Sequence, residues 1–147
     1  MIDPKDLMIK NWVYEGELTQ FPMYVIGIGT DYVYLDFEGR EGDLWDTTPE
    51  NIQGIPVTDV LLEKIGFRKR ILAKASNGTD DWIDYLYDCK NFHLAVCYTN
   101  GYACDKKWHI HIDNSDFISL GGGYFSYLHE LQNLVKVIAR QELKINL

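Results

Sequence analysis

The chain has 147 residues, of which 46% are hydrophobic and 14% aromatic, and a formal net charge of −8. This apolar content can build a packed core, so the composition argues against a disordered chain. No apolar run approaches the roughly 18 residues that cross a bilayer, and the N-terminus lacks the regions of a signal peptide. The odd cysteine count, with Cys89, Cys97 and Cys104 as free thiols, indicates a reducing compartment. We therefore expect a cytoplasmic protein that does not enter a membrane.

The excess of acidic residues lies entirely in the first part of the chain. Residues 1–66 hold thirteen acidic and four basic residues, a balance of −9, whereas residues 67–147 hold nine acidic and ten basic ones, a balance of +1. Binding to nucleic-acid phosphates requires clustered Lys and Arg, so direct nucleic-acid binding is not expected. An acidic surface suits a basic protein partner, mimicry of a nucleic acid, or plain solvation of the surface.

The first part of the chain reads as short strands separated by turns. In residues 32–37, Val33 and Leu35 alternate with polar and tyrosine positions, which is the period of a half-buried strand. Four further segments have similar β-branched and aromatic content: residues 9–14, 23–28, 43–46 and 54–57. Five short strands without a helix predict a small SH3-like β-barrel over residues 1–57.

A short helix is predicted where the second part, residues 58–147, begins. Thr58 is a suitable N-cap, Asp59 follows in the first turn, and Gly66 can end the helix in a left-handed conformation. No run of Gly, Ser or Pro separates the two parts, so we expect them to pack as one unit.

The second part is predicted to be an antiparallel β-meander packed by a C-terminal amphipathic helix. Asn77-Gly78 is a hairpin signal, and the gaps between strands are too short for crossovers. The predicted strands are residues 67–75, 82–87, 92–98, 107–113 and 117–120. Residues 121–123 are three glycines without the Lys and Ser/Thr of a phosphate loop, which predicts a flexible or tightly turning connection. The helix is expected over residues 126–141 with Ser126 as N-cap, and residues 143–147 could add a last strand. The fold class is therefore α+β.

The segment Trp108 to Asn114, WHIHIDN, contains the one pattern that suggests chemistry. On a strand, Trp108, Ile110 and Ile112 share one face and must enter the core, while His109, His111 and Asp113 share the other. Two histidines at this spacing lie roughly 6–7 Å apart at Cα and can share a metal ion. Exposed polar residues alternate in the same way on ordinary antiparallel strands, so the pattern alone leaves both interpretations open.

The register with the neighbouring strand, FHLAVCY, decides which residues could complete such a site. A two-residue turn at Asn100-Gly101 would place Phe92 opposite His109, and a half-buried sheet resists that mixture of faces. A register shifted by one residue keeps both faces consistent. It places Leu94 opposite Trp108 and His93 opposite His109, and it requires a three-residue loop or a bulge. The predicted metal ligands are therefore His93, His109, His111 and Asp113, with Zn²⁺ as the ion that suits imidazole.

Three stretches give the chain a resemblance: DLMIKNWVYEGE, IPVTDVLLEKIGF and the ending YLHELQNLVKVIARQELKINL. Together they cover about a third of the chain and resemble a group of small uncharacterised proteins from phages and mobile elements of gut bacteria. The resemblance implies a bacterial or phage context and a cytoplasmic protein, without an activity or a site. His129, in the ending, is interpreted as a surface or boundary residue.

Three hypotheses for function follow, and no residue is assigned a catalytic role. The leading one is a non-enzymatic interaction or accessory factor with a protein partner, which would use the acidic first part and its exposed aromatic residues. The second is an acidic mimic of nucleic acid that binds a DNA-binding host protein. The third is a metal-dependent hydrolase centred on His109 and His111.

Overall fold

The computed structural model describes residues 1–16, 20–36, 44–73, 82–99, 107–113 and 122–147. They form an α+β fold with two antiparallel five-stranded sheets and two α-helices, as the sequence predicts at the level of class. The chain divides into two compact units. The first contains residues 1–56, 127–142 and 147, and the second contains residues 57–126 and 143–146. Within the described ranges, no helix has the length and apolar character needed to cross a membrane.

The first unit is built on an antiparallel sheet in the order β4-β3-β2-β1-β5. Its strands are β1 (Trp12–Glu15), β2 (Phe21–Ile28), β3 (Val33–Asp36), β4 (Leu44–Thr47) and β5 (Ile52–Gly54). Four of these lie close to predicted strands, whereas β5 shares only Gly54 with the predicted residues 54–57. Among the described residues β4 and β5 are the two edges and no closed barrel forms, so the SH3-like barrel stays a prediction.

One face of this sheet carries the core of the first unit. Because side chains alternate along each strand, every second residue of β1, β2 and β3 points to the same side. The buried residues are Val13, Met23, Val25, Val33, Leu35 and Ile52, joined by Ile2 and Leu7 from the N-terminal segment. Each contributes about 1.5–3 kcal/mol by leaving water.

Helix α2 (Leu128–Ala139) belongs to the first unit, although the sequence pattern placed it with the meander. The Gln132 side chain accepts a hydrogen bond from the Trp12 backbone N–H (2.8 Å) and donates one to the Lys10 carbonyl (3.0 Å). Asn133 accepts from the Asn11 side chain at 2.9 Å and donates to the Asp6 carbonyl at 2.8 Å. Polar side chains of the helix therefore bind the backbone that leads into β1. The spacing of apolar residues along the helix does not predict these hydrogen bonds.

The ends of α2 and the position of His129 differ from the predictions. Tyr127, one residue after Ser126, is the N-cap, and Glu130 accepts a hydrogen bond from its N–H at 3.0 Å. Arg140 ends the helix in a left-handed conformation, with φ of 52°. His129 is buried, with 3% of its surface exposed, so its assignment to the surface or its boundary is wrong. The predicted strand at residues 143–147 does not form.

The second unit contains a meander whose strands neighbour one another in chain order. They are β6 (Arg68–Ala73), β7 (Trp82–Asp88), β8 (His93–Thr99), β9 (Lys107–Asp113) and β10 (Gly122–Phe125). Gly122 and Gly123 begin β10 because they pair with β9, so the predicted glycine turn is wrong there. Gly121, the Asn77-Gly78 signal, Cys104 and the predicted strand at residues 117–120 lie outside the described residues.

Helix α1 (Asp59–Lys64) precedes this meander and agrees with the sequence in its capping. The Thr58 hydroxyl accepts a hydrogen bond from the Leu61 N–H, and Gly66 adopts φ of 98°. Leu61 and Leu62 of α1 are buried.

The apolar face of the second sheet is buried as well, at Tyr85, Leu94, Val96, Trp108, Ile110 and Phe125. The Trp108 indole N–H donates to the Val57 carbonyl at 3.1 Å, which satisfies its only polar group.

Substituting Gly54 by Ala should destabilise the first unit by about 1–3 kcal/mol, because the new methyl group overpacks the site. A Cβ at this position would lie 2.5 Å from two ring atoms of Tyr127. The free energy of unfolding, measured with urea, tests this. In a Tyr127→Ala background, which removes those ring atoms, the same substitution should cost less. An equal cost in both backgrounds would contradict the proposed clash.

Stability should fall as the pH drops below the ordinary histidine range, because of His129. Burial lowers the pKa of His129 from 6.5, although the charges of Glu130 and Asp6 oppose the shift. Its Nδ1 is also buried without a hydrogen-bond partner among the described residues. The unfolded chain therefore binds a proton at a pH where the folded chain does not, and acidification through that interval favours unfolding. The urea midpoint at pH 7.5 and pH 5 should differ less in His129→Gln than in the wild type.

Candidate metal centre

The register between β8 and β9 brings the chemistry-bearing residues together. Leu94 pairs with Ile112, His93 with Asp113, and Cys97 with His109. The prediction that like faces align is confirmed, because polar positions pair with polar positions. The predicted offset is wrong by four residues, since Leu94 was expected opposite Trp108 and His93 opposite His109. An offset of four residues is an even number, so it leaves each strand with the same face toward the core. The connection, where a three-residue loop or a bulge is predicted, lies outside the described residues.

A continuous row of polar side chains crosses all five strands on the face opposite the core. Consecutive cross-strand pairs join Arg70 on β6 to Asp84, Asp84 to Cys97, Cys97 to His109, and His109 to Tyr124 on β10. His111 lies two residues further along β9, on the same face. Residues in register on neighbouring strands have Cβ atoms about 4.5–5.5 Å apart, so each side chain contacts the next.

Cys97, His109 and His111 form a cluster with the donor atoms of a transition-metal site. One ligand atom from each, a sulfur or a ring nitrogen, lies within 4.8 Å of the other two. The His109 and His111 rings are nearly parallel, with centroids 5.6 Å apart. Bond lengths of about 2.3 Å to sulfur and 2.0–2.1 Å to nitrogen place tetrahedral ligands about 3.3–3.6 Å apart. Rotations that draw the donors together by roughly an ångström would therefore complete the geometry.

The pKa shifts of His109 and Cys97 favour the neutral forms of these two donors before a metal ion binds. Burial lowers the pKa of His109, and the neighbouring His111 lowers it further, so an imidazole lone pair is available. Burial raises the pKa of the Cys97 thiol, and the Asp84 carboxylate beside it acts in the same direction. A metal ion must therefore displace the thiol proton in order to bind sulfur.

Arg70 holds two carboxylates in place at the edge of the cluster. Its Nε and Nη2 donate to Asp84 at 2.9 and 2.6 Å, and its Nη1 and Nη2 donate to Asp113 at 3.1 Å each. Asp84 is 2% exposed, so its charge depends on this guanidinium. The pair with Arg70 lowers the pKa of Asp113. Asp113, predicted as a metal ligand, is thus held as the second arm of an ion-pair triad.

His93, the fourth predicted ligand, lies away from the cluster. Its Nδ1 is 2.8 Å from Asp88 Oδ1, the atom that also accepts a hydrogen bond from Arg68 at 2.8 Å. The structure therefore keeps His109 and His111 of the predicted set together and adds Cys97. The sequence contained a signal for Cys97, because it occupies the same face of FHLAVCY as His93. Only the offset of the register decided which of the two faces His109.

Replacing Arg70 by Met should destabilise the protein by about 2–4 kcal/mol, because Asp84 would keep a buried charge without a partner. The value lies toward the low side of the range for buried pairs, since the Arg70 side chain is 35% exposed. Arg68→Met is the matched control on the same strand and face, and its exposed partner Asp88 should make the change in stability small. Equal urea midpoints for the two variants would contradict the importance of the triad.

Comparisons of the chain with protein-family models, with curated proteins and with solved structures give no match.

Proposed function

We propose that the protein binds a transition-metal ion, with Zn²⁺ as the ion that fits best, through Cys97, His109 and His111. The observation that supports this proposal is the convergence of one thiol and two imidazoles within 4.8 Å on one sheet face. Sulfur and imidazole nitrogen are the donors that Zn²⁺ selects in proteins, whereas Ca²⁺ and Mg²⁺ select oxygen. Within the described ranges, this is the single group of three such residues that could hold a metal.

The surroundings of the cluster suit a divalent cation. Arg70 carries one positive charge against the two negative charges of Asp84 and Asp113, so the triad beside the cluster has a net charge of −1. Asp84 is in register with Cys97 and is locked by Arg70. The negative field favours the metal ion, and the guanidinium prevents the two carboxylates from competing with Cys97 and the histidines for it.

A hydrolytic role is a second candidate, favoured by the count of three donors. Catalytic zinc sites use three protein ligands and a water in the fourth position, whereas structural sites use four protein ligands. The metal would lower the pKa of that water, and the two imidazoles and the thiolate would hold the ion. This role rests on the metal site and adds to it. Accessory work for a phage or mobile element is compatible with either role.

Calorimetric titration of Zn²⁺ into the purified full chain should show one site with micromolar or tighter affinity. Cys97→Ser, His109→Ala and His111→Ala should each weaken binding by more than the roughly 10- to 100-fold typical of losing an outer-shell partner. His93→Ala and Cys89→Ser are the matched controls, because His93 lies on the same face and Cys89 is the other described free thiol. Both should bind like the wild type.

Titrations in buffers of different ionisation enthalpy should show that one proton leaves Cys97 as the metal–sulfur bond forms. Co²⁺ as a probe should give a sulfur-to-metal charge-transfer band that is lost in Cys97→Ser and kept in Cys89→Ser. Absence of saturable Zn²⁺ binding, or binding that depends on His93 instead of Cys97, would reject the site.

A further inference from the structure

The face of the first sheet opposite its core combines aromatic rings with carboxylates. On this face the strands present Trp12 and Tyr14 from β1, Tyr24 from β2, Tyr34 and Asp36 from β3, and Leu44 and Asp46 from β4. We call this set the aromatic–acidic face. The sequences of β1 to β5 contain three carboxylates, Glu15, Asp36 and Asp46, and no Lys, Arg or His. The described strands of this sheet therefore contain no cation to neutralise these carboxylates.

The first part of this face is a ring pair that contacts a carboxylate. Tyr24 is in register with both Trp12 and Asp36. Its ring centroid lies 5.5 Å from that of Trp12, and its hydroxyl donates to Asp36 Oδ2 at 2.6 Å. The hydrogen bond to Asp36 raises the pKa of Tyr24, which keeps the phenol neutral. Asp36 Oδ1 is buried and has no hydrogen-bond partner among the described residues, so Asp36 contributes its negative charge to this face rather than an open acceptor atom.

The second part is an exposed tyrosine beside another carboxylate. Tyr34 lies opposite Gly27 on one side and Asp46 on the other. A Cβ at Gly27 would lie 3.1 Å from Tyr34 Cδ2, so the ring rests against the glycine backbone and stays 45% exposed. A ring supported on one side and open on the other, with a carboxylate in register, is a receptor for a cation.

We propose that the aromatic–acidic face binds a Lys- or Arg-rich peptide segment of a partner protein. The ring faces attract the ammonium or guanidinium, Asp36 and Asp46 supply the opposite charge, and the exposed Leu44 accepts the aliphatic stem. Charge complementarity selects this occupant, because the strands carry only negative charge. This face uses residues of the first sheet and the metal centre uses residues of the second, so the proposal does not depend on the proposed function.

A Lys- or Arg-rich peptide fits this face better than the alternative partner, a DNA-binding host protein that would bind the face in place of nucleic acid. A mimic needs carboxylates spaced in rows like phosphates. Here Asp36 and Asp46 alternate with Tyr24 and Tyr34, which is an arrangement for single cationic side chains.

Backbone-amide NMR of the full chain, titrated with a synthetic peptide of alternating Lys and Gly, tests the proposal. We expect saturable shifts at β2, β3 and β4 that weaken as NaCl rises, and none with a Glu-Gly peptide of the same length. Tyr34→Ala and Asp46→Asn should each weaken binding about 2- to 5-fold, the effect of an exposed cation–π contact or ion pair. Tyr124→Ala, at a 66% exposed ring of the second unit, is the control and should leave affinity unchanged.

Three results would overturn the proposal. They are no saturable binding at low salt, shifts that map away from β2 to β4, or affinity that Tyr34→Ala and Asp46→Asn leave unchanged. Competition by spermidine at equal charge concentration would indicate a site for small amines and would also overturn it. Zn²⁺ binding measured in Tyr34→Ala and Asp46→Asn should stay intact, so the two proposals can fail independently.

Discussion

The burial of one face of the second sheet determines which side chains lie next to one another on its opposite face. Val96, Ile110 and Trp108 must leave water, and this fixes which alternate positions of β8 and β9 face the core. Cys97, His109 and His111 are then on the opposite face by necessity. The cluster therefore removes no apolar side chain from the core, because its residues occupy strand positions that face away from the core.

On the same face, the carboxylates of Asp84 and Asp113 lie near the proposed metal donors and are bound by Arg70. Asp84 is almost fully buried, and without Arg70 its ionised form would be costly. Arg70 binds Asp84 and Asp113 together through both edges of its planar guanidinium, a geometry that Lys could not reproduce. This triad occupies the carboxylates and leaves sulfur and imidazole as the donors that can approach a metal ion.

The two sheets differ in the chemistry they offer. The second presents cations, carboxylates, a thiol and histidines, and its arginines pair with its carboxylates across the strands. The first has strands without a basic residue, and its aromatic–acidic face combines Tyr24 and Tyr34 with Asp36 and Asp46. On this face two carboxylates are in register with tyrosines, which is the arrangement that we propose for recognition of cationic side chains.

The sequence by itself determined the α+β class, most strands, the capped helix after Thr58 and the face of each residue on β8 and β9. These follow from local periodicity and capping, which depend on neighbours along the chain. Only the tertiary structure decided that Cys97 rather than His93 faces His109, that Arg70 holds Asp113, and that α2 joins the first unit. Each of these depends on the register between two strands or on hydrogen bonds between distant residues, such as Gln132 with the backbone of Trp12, and no local pattern contains that information.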